Sequence, residues 1–201
     1  VIDGWGKRRL EPVLAALAAR LAAAGVSPNA VTVLSLLAGL GAGAAIATGH
    51  FWVGLALIVL SRLGDGLDGA LARIGGNTDF GGYIDIVFDF AYYGVIPLGF
   101  VLYDPGANGV AGAFLLFAFY VNGASFLAYA ALAEKRRMKT LERGEKSFFF
   151  TTGLAEAGET LIAFALACLF PGWFPLIAYV FAAITLYTAA ARVVLAGKVF
   201  R

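Results

Sequence analysis

The sequence predicts an all-α integral membrane protein: six transmembrane helices preceded by an N-terminal interfacial amphipathic helix. Three observations lead there. Of 201 residues, 61% are hydrophobic and 14% charged, with a mean hydropathy of +0.84, outside the range of ordinary soluble domains. Several apolar runs reach about 20 residues, roughly what a helix needs to cross about 30 Å of hydrocarbon. The 15 Lys and Arg residues gather on one side of the resulting layout or in the adjoining helix halves. No soluble domain remains once the apolar runs are removed, so residues 1–201 read as a single membrane domain.

Residues 7–24 are expected to form the surface helix. Leu10, Val13, Leu14, Leu17 and Leu21 recur at helical spacing among Lys7, Arg8, Arg9, Glu11 and Arg20, and basic residues beside an apolar stripe suit anionic headgroups. An ordinary helical extension is the plainer alternative. Residues 1–9 lack the apolar core and small-residue cleavage site of a signal peptide, so the first span is expected to direct insertion.

Ser27-Pro28-Asn29 supplies turn and cap chemistry before the first span, about 30–50, and Phe51 and Trp52 mark the far interface. The second span covers about 51–73 and the third about 81–103, joined by Gly75-Gly76-Asn77-Thr78-Asp79. Thr78 is placed to cap the third helix, Asp79 reads as a solvated turn residue, and Asp104-Pro105-Gly106 closes the span. The fourth covers about 110–133. Residues 134–146, with six Lys or Arg, stay out of the bilayer. The fifth and sixth, about 148–170 and 173–196, flank an interfacial Pro171-Gly172-Trp173 turn.

Six spans place both chain ends on one side. The opposite loops, near 50, 104 and 171, contain no basic residue, and the positive side is the cytoplasmic one. A lone cysteine, Cys168, excludes an intramolecular disulfide and a Cys-based metal cluster.

Acidic side chains at membrane depth are costly enough to imply function. Asp65 and Asp68 stand three apart, Asp85 and Asp89 four apart, so each pair shares a face of its own helix. The turn at 75–79 brings the pairs to similar depth, roughly 6 to 12 Å from the cytoplasmic end at helical rise. Facing carboxylates repel strongly at low dielectric unless cations balance them. Oxygen-only ligation indicates Mg²⁺, Ca²⁺ or Mn²⁺, and two ions would suit four carboxylates and a diphosphate.

Gly64, Gly66 and Gly69 thin the second helix at a cost of roughly 1 kcal/mol each relative to Ala. At Gly69 the reading is approach of a ligand; at Gly39, Gly43, Gly94 and Gly99 it is close helix packing. Arg73, one turn from the acids, either snorkels to the headgroups or holds a phosphate.

The pattern Asp-x-x-Asp-Gly-x-x-Ala-Arg, seven residues, then Gly-x-x-x-Asp-x-x-x-Asp resembles the signature of the class I CDP-alcohol phosphatidyltransferase family. Asp65, Asp68, Gly69, Ala72, Arg73, Gly81, Asp85 and Asp89 fill every signature position, with a gap before Gly81 at the family's short end. Ser27-Pro28-Asn29-Ala30-Val31-Thr32 is similar to the family's entry to its first span. Lys146-Ser147-Phe148 and Gly153-Leu154-Ala155-Glu156 resemble small bacterial inner-membrane members, a likeness that names no acceptor.

The resemblance implies transfer of a phosphatidyl group from CDP-diacylglycerol to an alcohol with release of CMP, using Mg²⁺ or Mn²⁺, two ions, at the bacterial inner membrane. It implies Asp65, Asp68, Asp85 and Asp89 as metal ligands and Asp89 also as the base that takes the hydroxyl proton. Asp65, Asp68, Gly69, Ala72, Arg73 and Gly81 would surround the nucleotide diphosphate. Membrane lipids and a second copy of the chain, as a homodimer, are the implied partners.

Glu156, Glu159 and Arg192 interrupt the last two apolar runs. They form either a structural ion pair or part of an acceptor pocket in which Lys135, Lys146 and Arg192 bind a phosphorylated alcohol. Lys135-Arg136-Arg137-Met138-Lys139 reads more simply as a topology and anionic-lipid signal. A rival within the family uses CDP-choline or CDP-ethanolamine as donor and diacylglycerol as acceptor. A cation or proton transporter is the rival from another class, opposed by the clustering of all four acids near one end of the span. No nucleic-acid motif is present.

Overall fold

The computed structural model describes residues 2–136 and 157–200, with side chains from residue 11 onward. The elements are α1 (Ile2–Ala23), α2 (Pro28–Ala47), α3 (Phe51–Gly75), α4 (Asp79–Tyr103), α5 (Pro105–Lys135), α6 (Ala157–Leu169), a single 3-10 turn (Pro171–Trp173) and α7 (Phe174–Val199). Among the described residues there is no strand.

The helix ends follow local chemistry. Gly25, at φ 75°, ends α1 in a conformation that costs glycine little, and Val26 N–H closes back onto the Leu21 carbonyl at 3.0 Å. Ser27 Oγ accepts from Ala30 N–H at 3.2 Å with Pro28 at the first helical position of α2. Thr78 Oγ1 accepts from Gly81 N–H at 3.0 Å, the expected cap of α4. Asp79 is not in the turn but in the first turn of α4, where its charge meets the helix's positive end.

Asp104-Pro105 opens α5 rather than simply closing α4. Asp104 Oδ1 accepts from Ala107 N–H at 3.0 Å, and Pro105 occupies the first helical position. α5, the fourth expected span, therefore starts about five residues before its expected apolar boundary, because the cap chemistry decides the start and hydropathy does not.

The helices α2 to α7 alternate in direction. At one end of the bundle, Phe51 at the start of α3 meets Phe100 and Tyr103 at the end of α4, and Phe100 stacks on Phe174 at the start of α7 with ring centres 4.5 Å apart. At the other end, Arg136 donates to the carbonyls of Val199 and Phe200, which sets the C-terminal ends of α5 and α7 side by side. The core between them holds Tyr92, Ile96 and Phe100 of α4, Leu115 of α5, Phe164 of α6 and Phe181 of α7.

Among the described residues, four helices are long and apolar enough to cross a membrane: Pro28–Ala47, Asp79–Tyr103, Pro105–Lys135 and Pro171–Val199, the last counted with its preceding turn. The 25-residue α3 carries Arg62, Asp65, Asp68 and Arg73 along its length. The described part of α6 has 13 residues, and the rest of the expected fifth span lies outside the described residues. Large apolar side chains such as Trp52, Val110 and Tyr120 are more than 70% exposed, a surface suited to hydrocarbon.

α1 packs on α3 through one stripe. Ala18 is fully buried, with Leu21 and Ala22 beside it against Ala70, Leu71 and Leu67. Val13 and Leu17, on the expected apolar face, are exposed.

Small residues allow the closest approach between α2 and α4. A Cβ on Gly99 would lie 2.6 Å from the Gly43 carbonyl oxygen, and one on Gly39 would lie 2.8 Å from the Tyr92 ring. Packing within the chain is thus the role of Gly39, Gly43 and Gly99, as expected, whereas Gly94 makes no such contact within the described residues. Among the described residues, a Cβ there would meet nothing within 4 Å.

Candidate active site

The α3–α4 pair forms the site. Its helices reverse direction through residues 76–78, where Gly76 takes φ 94°. Both helices pack on α2, and the second half of α3 faces the first half of α4 across the acidic side chains, where Arg62 of α3 reaches Asp89 of α4. Asp65, Asp85 and Asp89 line one pocket together with Thr32 and Ser35 of α2. Asp68, 7% exposed, sits beside the Thr32 hydroxyl and within the field of Asp85 and Asp89. The two aspartate pairs face each other across the helix pair, as their spacing predicts.

One residue that the acid pattern missed alters the electrostatics. Arg62, three residues before Asp65 and so on the same helix face, places Nη1 2.8 Å from Asp89 Oδ1 and 3.7 Å from Asp65 Oδ2. Its guanidinium carbon lies 3.7 Å from the centre of the Tyr92 ring, and Nη2 donates to Ser61 Oγ at 3.3 Å. The four carboxylates are therefore not wholly uncompensated: the protein supplies one cation itself. The sequence signal was available, since a charge eleven residues deeper in α3 than Arg73 cannot snorkel to the same interface.

The donor set fits a hard divalent ion. Asp68 Oδ2 is buried and has no hydrogen-bond partner, an arrangement that costs free energy unless a cation or ligand completes it. Asp85 is exposed to the pocket mouth and Asp89 half-buried. Among the described residues, no three acidic, His or Cys side chains converge closely enough to hold an ion as they stand. Arg62 hydrogen-bonds Asp89 and lies beside Asp65.

The three glycines of α3 serve different purposes. A Cβ on Gly64 would collide with Ser35 of α2, and one on Gly66 would lie 3.1 Å from Leu14 of α1, so both positions pack helices. Gly69 is open: its nearest neighbour would be Arg73 Nη1 at 4.0 Å. Arg73 is exposed at the end of α3, and Ala72 is half-buried. Gly81 touches structure, since a Cβ there would lie 3.0 Å from both Asn29 Oδ1 and the capping Thr78 Oγ1.

The residues expected at an acceptor pocket are not gathered in the described part of the chain. Arg192 Nη1 donates to the Asn122 carbonyl at 3.0 Å, to Asn122 Oδ1 at 2.9 Å and to Ser125 Oγ at 2.6 Å, tying α7 to α5. Lys135 is exposed at the end of α5, about three turns and roughly 15–20 Å further along that helix. Lys146 and Glu156 lie outside the described residues, as does most of the basic run from Arg137. Glu159 Oε2 is buried without a hydrogen-bond partner among the described residues.

Comparison with known proteins gives a family, a relative by sequence and solved structures of similar fold. A family model described as CDP-alcohol phosphatidyltransferase matches residues 25–194. The inner membrane protein YnjF of Escherichia coli (strain K12) is 43% identical over 185 residues, covering 92% of this chain and 90% of its own. Among solved structures, the phosphatidylinositol phosphate synthase PgsA1 of Mycobacterium tuberculosis with CDP-DAG bound has a TM-score of 0.70 at 23% identity, over 90% of this chain and 92% of its own. The same synthase in complex with manganese and citrate has a TM-score of 0.64 at 20% identity, over 90% and 87%. These structural likenesses show the fold.

Proposed function

The chain belongs to the CDP-alcohol phosphatidyltransferase family, and on that premise we propose that it transfers a phosphatidyl group from CDP-diacylglycerol to an alcohol, releasing CMP, in phospholipid biosynthesis. The observation that carries this reading is the pair of facing aspartate sets on α3 and α4 beside the open face of Gly69. A donor diphosphate can approach the helix there, with the exposed Arg73 guanidinium in reach of a phosphate oxygen. The PgsA1 neighbour solved with CDP-DAG bound supports this choice of donor.

Asp65, Asp68, Asp85 and Asp89 would hold Mg²⁺ or Mn²⁺, and the hard oxygen set and the orphaned Asp68 oxygen support that assignment. Two divalent ions bound there would neutralise charge on the leaving CMP and polarise the phosphorus under attack. The rest falls to the protein. The acceptor oxygen forms a bond to the phosphatidyl phosphorus, the bond to the CMP oxygen breaks, and the hydroxyl proton passes to Asp89. Gly69 leaves room for the diphosphate, while Ala72 and Gly81 keep the neighbouring helix surfaces small.

Residues 1–201 then make one membrane domain of six spans, with α1 at the interface and both termini and the aspartates on the cytoplasmic side. The alternating helix directions, the parallel α5 and α7, and the placement of Arg20, Arg73, Lys135, Arg136 and Lys198 at one end support this topology. The E. coli inner membrane relative supports the membrane, and a homodimer rests on the family.

The test incubates purified protein with CDP-diacylglycerol, Mn²⁺ and a panel of alcohols and phosphorylated alcohols, with CDP-choline plus diacylglycerol as a separate arm. CMP release from CDP-diacylglycerol that depends on one acceptor is expected. Release of CMP from CDP-choline alone would transfer the assignment to the other branch of the family.

A further inference from the structure

The acid pocket contains a cation whose position the transferase chemistry does not by itself require. Arg62 lies in the apolar middle of α3, and its guanidinium is fixed from behind: the flat face rests on the ring of Tyr92, 1% exposed, and Nη2 is bonded to Ser61 Oγ. Its side chain is 15% exposed, and Nε is buried with no hydrogen-bond partner. The carboxylates it touches, Asp89 at 2.8 Å and Asp65 at 3.7 Å, are both assigned above to divalent ions.

Two physical consequences follow from that contact. A guanidinium stays charged at any working pH, so it competes with a divalent ion for the same carboxylate lone pairs and adds like-charge repulsion at short range. It also fixes one oxygen of Asp89 from a rigid base, since the stacking on Tyr92 holds the guanidinium whether or not the carboxylate is engaged. With Oδ1 so held, the carboxylate of Asp89 is kept in a set orientation at the pocket it lines.

We propose that Arg62 is a positioning residue for Asp89 that also weakens the site's hold on divalent ions, an inference that rests on the transferase reading above. Removing Arg62 then pushes two observables in opposite directions. Ion binding tightens because a competing charge has gone, and turnover falls because Asp89 is no longer oriented. A residue that served only to stabilise the fold would weaken both.

Wild-type, Arg62→Gln and Arg62→Lys proteins are compared for Mn²⁺ affinity, from the electron paramagnetic resonance signal of free Mn²⁺, and for kcat and KM with CDP-diacylglycerol. In Arg62→Gln, Mn²⁺ binding is expected to tighten by about tenfold and kcat to fall by at least about tenfold, with KM for the donor within about threefold. Arg62→Lys keeps the charge without the planar fork, so its Mn²⁺ affinity stays within about threefold of wild type while kcat still falls.

A folded Arg62→Gln with unchanged or weaker Mn²⁺ binding overturns the proposal. If that variant does not fold, wild-type protein labelled with ¹⁵N-arginine decides: the Arg62 guanidinium resonance, identified by its absence from Arg62→Lys, must shift as Mg²⁺ is added, and an unmoved resonance overturns the proposal. Wild-type protein that binds no Mn²⁺ would instead remove the metal-dependent reading on which this one stands.

Discussion

Arg73 lies across the bare face of Gly69, its Nη1 4.0 Å from where a Cβ on that glycine would sit, and among the described residues beyond its chain neighbours no other side chain comes that near. A helical glycine with open space has no packing reason to be there, since Ala would be more stable by roughly 1 kcal/mol. The vacancy and the arginine together form a shelf on which a phosphate can rest. That is the part of α3 assigned to the donor.

Gly69→Val is therefore expected to leave the thermal unfolding midpoint in detergent near wild type while raising KM for CDP-diacylglycerol by about tenfold, as lost contacts at a polar anionic ligand typically do. An unchanged KM would remove Gly69 from the donor site.

The opposite pattern is expected at Gly99. Its Cβ would press on the Gly43 carbonyl at 2.6 Å, so Gly99→Val should lower stability by about 1–3 kcal/mol through overpacking between α2 and α4. Unfolding in detergent measures this. The activity of the protein that remains folded should be little changed, because the contact lies away from the aspartates.

Asp89→Asn should keep donor binding and lose turnover by about 10²–10⁴-fold, the usual range for removal of a general base. Binding of CDP-diacylglycerol and release of CMP are measured on the same preparation. Undiminished CMP release would remove the proton-accepting role from Asp89.

These contrasts also show how far the residues alone could lead. The spacing of Asp65, Asp68, Asp85 and Asp89 was enough to place them face to face, since helix periodicity and one tight turn fix that geometry. The cap at Thr78 was equally local. Arg62 lies on the same face of α3 as Asp65, but its partner Asp89 is on another helix, 27 residues on, so the pairing is a tertiary contact that local spacing does not show. Gly64 and Gly66 looked like Gly69 in the sequence. Only the partner helices, Ser35 on α2 and Leu14 on α1, distinguish a packing glycine from an open one. The start of α5 at Asp104-Pro105 escaped a hydropathy boundary because cap residues are polar.

Arg192→Ala should loosen α7 from α5, since three hydrogen bonds from Nη1 to Asn122 and Ser125 are lost, at a cost of about 1–3 kcal/mol. If Arg192 also meets the acceptor, KM for the acceptor rises in Arg192→Ala and in Lys146→Ala alike. A rise in neither variant would leave Arg192 as a brace between the two helices.

The facing aspartates are tested most directly by locating the metal. Crystals of the protein grown with Mn²⁺ and CDP-diacylglycerol should give anomalous difference peaks between the Asp65–Asp68 and Asp85–Asp89 pairs, beside the donor diphosphate. A donor bound with no manganese between those pairs, or manganese held elsewhere, would contradict the assignment of the site.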